Sequence, residues 1–163
     1  MPRVLVAGLG NKYMGDDGFG PRVVETLMSG GLPHDVEVRD VGLCGVTLAP
    51  DLDDYGLVIF VDAVKKGGKF GTIYRAEIEA EQLTETEPRE GMDFFTFSTH
   101  RARLEELILF AKAIGTLPAN IVVIGCEVVE IALGEGLSRE VEDAIPRATE
   151  LVLMELQRYC ERK

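Results

Sequence analysis

"VLVAGLGNKYMGDDGFGP", residues 4–21, sets a β-branched apolar run against a glycine-rich turn and then the start of a helical pattern. Strand, tight turn and helix in that order are the opening unit of a doubly wound α/β domain. In that unit the turn at the strand's carboxyl end is where ligands bind. What this turn binds depends on its side chains. A dinucleotide fingerprint needs G-x-G-x-x-G/A; Gly8 and Gly10 fit, but Tyr13 stands where the third small residue is required. A phosphate loop needs G-x-x-x-x-G-K-[ST], whereas Gly10 and Gly15 here are followed by Asp16 and Asp17. Two carboxylates beside a phosphate would repel it. Acids at this position either cap the helix, where orphan amides and the macrodipole favour them, or hold a cation. One acid suffices for capping, and position alone leaves both roles open.

Three further apolar runs read as buried strands of the same kind: "VEVRDV" (36–41), "GLVIFVDA" (56–63) and "NIVVIGCE" (120–127). They are continuous rather than alternating, as expected of a parallel sheet covered on both faces. "GTIYRAEI" (71–78) alternates, which suits an edge or antiparallel strand. Apolar stripes at helical spacing mark helices near 18–29, over 100–114 and after Ser138, a candidate N-cap. Pro146 falls inside the last pattern and is expected to kink it or delay its start. The expected fold is α/β: one domain over residues 1–163, a three-layer sandwich with a twisted, mostly parallel central sheet and helices on both faces. The irregular stretch 80–97 is a candidate mobile loop, with Phe94 and Phe95 as a docking patch.

Composition narrows the function. The formal charge of −11 repels nucleic acid and anionic membranes and tolerates cationic ligands. No stretch has the form of a signal peptide or the length of a membrane helix. Cys44, Cys126 and Cys160 are odd in number and lack C-x-x-C spacing, which speaks against a disulfide framework or a cysteine-rich zinc site. A reducing cytoplasm is the expected location, with no nucleic acid and no membrane among the partners. There is no H-E-x-x-H, and no Ser or Cys sits in a nucleophile elbow.

Two more residues join the opening turn. Asp62 ends the run "LVIFVD" as its one charge, where it caps a loop, pairs with Lys65 or Lys66, or binds a ligand. His100, in "FSTHRARL", stands where a helix begins; the other histidine, His34, lies in a turn and has no expected role. Asp17, Asp62 and His100 all belong to a strand's carboxyl end or the next helix's amino end, and in a doubly wound sheet those positions share one rim. Two carboxylates and an imidazole suit a divalent metal such as Zn²⁺ or Ni²⁺ with open positions.

"GLGNKYMGDDGFGPRVVETL", "VDA" after an apolar strand and "STHRARLEELI" resemble the NiFe-hydrogenase maturation endopeptidases, and "DVGLCGVTL" (40–48) and "IVVIGCEVVEIALGEGLSREVEDAIP" (121–146) extend the resemblance over nearly the whole chain. The resemblance implies an endopeptidase that removes the C-terminal extension of a hydrogenase large-subunit precursor after nickel insertion. The nickel, carried by the precursor, is then the recognition element; zinc or cadmium could occupy the site as surrogates. It also implies that Asp17, Asp62 and His100 are the metal-contacting and catalytic residues. Asp40, apart from the resemblance, is a second-tier candidate for positioning the substrate. Asp17 rather than Glu shortens the reach by one methylene, and "GCEVVEI" departs from the proline or glutamine of many relatives. Two rival readings are a nickel-binding metallochaperone without proteolytic activity and a nucleotide-binding α/β enzyme.

Overall fold

The apolar runs of the sequence become the strands of one sheet in a computed structural model that describes residues 3–43, 45–79 and 101–162. The strands are β1 (Arg3–Leu9), β2 (Val36–Gly42), β3 (Tyr55–Val64), β4 (Ile73–Ile78) and β5 (Asn120–Glu127). Their spatial order is β2-β1-β3-β5-β4, parallel throughout except for β4, which runs antiparallel to β5 at one edge. All parallel strands therefore end at one rim. The α/β sandwich expected from the sequence is the fold observed.

Successive side chains of a strand face opposite ways, and here both ways lead to a core. Val4, Val6, Ile59 and Ile124 pack against α1 (Phe19–Ser29) and α3 (Arg139–Glu161) through Phe19, Val23, Ala148 and Val152. Leu5, Phe60 and Val123 point to the other face, against Leu48 and Leu52 and against Leu107 and Ile108 of α2 (Arg101–Ile114). Leu48 and Leu52 lie on a 3-10 segment, Gly45–Asp54, that carries Pro50. The sequence pattern had assigned that segment no element.

Three expectations need adjustment. β2 is half-buried rather than buried, because it is the edge strand next to β1. Pro146 does not delay α3, which starts at Arg139 and runs through it. Ser138 is the N-cap of α3 by position, but its hydroxyl makes no bond to the helix and turns elsewhere. The stretch 80–97, with Phe94 and Phe95, lies outside the described residues.

The alternation read in β4 is real. Tyr74, Ala76 and Ile78 pack on the α2 side, while Ile73 joins the core on the α3 side. On that side Arg75 donates to the buried Glu155 of α3, Nε at 2.5 Å and Nη2 at 3.0 Å. The hydrogen bond from Arg75 holds the Glu155 carboxyl below its ordinary range, against burial that pushes it up.

Candidate functional site

The turn after β1 is built by close backbone approach. A Cβ on Gly8 would lie 2.6 Å from the Gly20 carbonyl oxygen, and one on Gly20 would lie 2.3 Å from that of Leu9 and 2.5 Å from that of Val61. Only glycine lets α1 sit directly on the ends of β1 and β3. The packing role that a dinucleotide fingerprint gives its third glycine falls here to Gly20, which is why Tyr13 is tolerated. The Tyr13 ring is half exposed, with the Lys12 ammonium 5.1 Å from its centroid.

The two aspartates of the turn have separated roles, and neither caps a helix: Met14 and Gly18 hold the cap positions of the 3-10 turn Gly15–Gly18 and of α1, without side-chain bonds. Asp16 is buried and gathers four donors from the β5–α3 connection. Its Oδ2 accepts from the Val129 amide at 2.9 Å, the Glu130 amide at 3.2 Å and the Ser138 hydroxyl at 2.9 Å. Its Oδ1 accepts from the Ser138 amide at 2.6 Å. Asp16 is thus a staple between the first turn and the last loop, reinforced by backbone bonds from Gly15 to Gly134 and from Gly134 to Tyr13. Asp17, equally buried, turns back toward β1: its Oδ2 accepts the Asn11 amide at 2.9 Å. Gly10, at φ 121°, makes room for it, since a Cβ there would lie 2.1 Å from the Asp17 carbonyl oxygen and 3.0 Å from Oδ1. A side chain at residue 10 would push Asp17 out of place.

Asp62 lies near the end of β3, the strand next to β1. Val61 is level with Gly8, so Asp62 stands one step beyond it, beside the glycine turn. It is 5% exposed, and its Oδ1 accepts the Ala63 amide at 2.8 Å. The structure places Asp62 near the end of β3 and Asp17 in the 3-10 turn that follows β1 and precedes α1, on the one rim expected from the sequence. Asp17, expected to face the crevice, is buried, as is Asp62. His100 lies outside the described residues. Among the described residues no three His, Cys, Asp or Glu side chains form a metal-ligating group. Asp40, at the end of β2, is exposed and accepts the Gly42 amide at 3.0 Å. It lines a groove of about 580 Å³ along α1, together with Lys12, Arg22, Met28 and Leu137.

One buried acid of the rim escaped the sequence reading. Glu127, at the end of β5, is 2% exposed. Its oxygens accept the Lys66 amide at 2.9 Å and 3.1 Å and the Gly67 amide at 3.0 Å, and the Tyr74 hydroxyl donates to it at 3.1 Å. β4 pairs with β5, not β3, so residues 65–72 must arch over the end of β5, and Glu127 fastens the arch from below. A charge at a strand end was visible in the sequence. Its partners, some 60 residues away, were not. Cys126 beside it is buried and its thiol is pushed up to about 12 by burial, with Asp16 and Glu127 adding to the effect. It stays protonated and is no nucleophile.

Residues 21–155 match the model of the hydrogenase maturation proteases. The chain belongs to that family. A Methanocaldococcus jannaschii protein named as a hydrogenase maturation protease is 33% identical over 95% of this chain and 97% of its own. Among solved structures, the hydrogenase 2 maturation peptidase of Thaumarchaeota archaeon SCGC_AB-539-E09 superposes with a TM-score of 0.72 at 42% identity, covering 94% of this chain and 97% of that one. The hydrogenase maturating endopeptidase HybD from E. coli superposes with a TM-score of 0.82 at 28% identity, covering 96% and 93%. The resemblance read from the glycine turn, the strand-end acid and the histidine motif is therefore borne out at the level of family and fold. Hydrogenase maturation proteases are peptidases, and the nucleotide-binding alternative has no support in the turn. Among the described residues no helix is long and apolar enough to cross a membrane.

Proposed function

We propose that this maturation protease removes the C-terminal extension of a NiFe-hydrogenase large-subunit precursor in the cytoplasm, once nickel is in place, and that the precursor's nickel is what it recognises. The observation that carries this reading is the pair Asp17 and Asp62, buried at the ends of adjacent strands on a glycine turn that a Cβ would fill. Carboxylates buried on one rim are unfavourable, and a divalent cation offsets that cost. Nickel presented by the precursor supplies the cation, with His100 as a nitrogen donor, and zinc or cadmium would serve as surrogates. An empty precursor lacks this compensation and is passed over.

The cut itself adds water across one amide. The C–N bond breaks, the water oxygen stays on the shortened chain as a new carboxylate, and the departing amine takes a proton. Asp17 and Asp62 suit this chemistry in two ways: a carboxylate holds the metal, and a carboxylate oxygen facing water takes its proton. The groove along α1 beside Lys12 and Asp40 gives the chain leading to the scissile bond a place to lie.

The test is the mass of a cognate precursor after incubation with this protein, with nickel loaded or omitted. Loss of a C-terminal peptide from the loaded sample alone is expected. Cutting of both samples would remove the nickel requirement. Unchanged mass in both, with nickel retained by the isolated protein, would favour the metallochaperone reading instead.

A further inference from the structure

The arch over β5, "KKGGKFGT" (65–72), carries three lysines and no acid in a chain whose formal charge is −11. With Lys12 it holds four of the six lysines of the whole chain on the rim loops. Lys69 and Phe70 are exposed and Lys65 half-exposed, and among the described residues neither Lys65 nor Lys69 enters an ion pair. The arch is also built to hold its shape. Glu127 binds the amides of residues 66 and 67, the Gly71 amide donates to the Glu127 carbonyl at 2.8 Å, and the Glu127 amide donates to the Thr72 carbonyl at 2.9 Å. Gly68 lies so near Tyr74 that a Cβ would come within 2.2 Å of its hydroxyl. The Lys66 ammonium sits 4.9 Å from the Tyr74 ring centroid, so this lysine is folded inward. Lys65 and Lys69 are left facing solvent from a fixed frame that begins three residues after Asp62.

We infer that this arch is the seat of the extension's free end: Lys65 and Lys69 take the terminal carboxylate of the precursor's tail, and Phe70 packs against its last side chains. The inference rests on the proposed cleavage of a C-terminal extension. Any such extension ends in an α-carboxylate, an anion that the acidic surface elsewhere repels and that this arch attracts. The sheet order fixes the geometry. Asp40 at the end of β2 lines the groove along α1, and the arch spans the end of β5 toward β4, with β1 and β3 between them in the sheet. On this inference a chain that passes the two aspartates runs from one to the other.

Two measurements test this on the whole protein. The first is processing of the nickel-loaded precursor by Lys65→Ser/Lys69→Ser, which should raise KM about three- to tenfold with kcat little changed, as expected for two exposed charge contacts. The second is inhibition of processing by the synthetic extension peptide with a free carboxylate and by its C-terminal amide. The acid should inhibit the wild type at several-fold lower concentration than the amide, and the double variant should no longer distinguish them. If the wild type cuts the precursor but acid and amide inhibit alike, the inference is overturned while the proposed function stands, whatever the KM of the variant. If the wild type does not cut the loaded precursor at all, both fall together.

Discussion

Buried carboxylates in this protein are held in two ways. Glu155, on the flank of the sheet, is paired with a side-chain cation: Arg75 meets it with two hydrogen bonds and Arg158 adds a third at 3.1 Å. At the carboxyl rim, Asp16 and Glu127 are held by backbone amides and hydroxyls instead. The first arrangement neutralises charge and joins a strand to a helix. The second fixes loops through backbone amides and hydroxyls, at the ends of strands where a ligand can approach. A rim built this way ties its loops to the ends of the strands and gathers buried acids there. It suits the reading of a cation brought in by another chain.

That contrast can be broken or sharpened by substitution. The largest effect on folding is expected at Asp16. Asp16→Ala strands four donors at once and should cost about 3 kcal/mol, read by chemical denaturation. Glu127→Gln should cost about 2 kcal/mol, because an amide NH₂ then faces the Lys66 or Gly67 N–H; hydrogen exchange at those two amides should accelerate while the β1 amides stay protected. Glu155→Gln is the mildest, about 1 kcal/mol, since Arg75 is partly exposed and keeps Glu77 as a partner at 2.6 Å. Its pH dependence distinguishes it further. The Glu155 carboxyl is lowered in the folded state, so its contribution is present above the unfolded carboxyl's pKa and is lost as pH falls through the lowered folded value. Acid unfolding curves of the wild type and Glu155→Gln should therefore converge below the ordinary glutamate range. A separation between the two curves that persists unchanged well below that range would mean that the Glu155 charge contributes nothing to the pair.

Much of this was legible in the sequence, for local reasons. β3, β5 and α1 are continuous apolar runs or stripes, and their observed bounds differ from the expected ones by at most a residue or so. Asp62 was visible because a strand-end charge in an apolar run stands out, and Asp17 because paired acids in a glycine turn do not suit a phosphate. The Gly45–Asp54 segment was hidden because Leu48 and Leu52 are one short pair at helical spacing with Pro50, a helix breaker, between them. The half-burial of β2 depends on strand order, which no local pattern carries. The roles of Asp16 and Glu127 were hidden for a similar reason: their partners lie more than a hundred and about sixty residues away. Without those contacts, Asp16 reads as a helix cap and Glu127 as a strand terminus. His100 remains an expectation from the sequence motif, to be tested with the two aspartates.

The measurement that bears most directly on the account is processing of the nickel-loaded precursor by Asp62→Asn, set beside its unfolding midpoint. Asparagine keeps the shape and the Ala63 hydrogen bond but removes the charge, so the protein should fold as before while processing falls about a hundredfold or more. Asp17→Asn and His100→Gln should follow it. Processing by Asp62→Asn within a few-fold of the wild type would contradict the claim that the buried rim carboxylates carry the reaction.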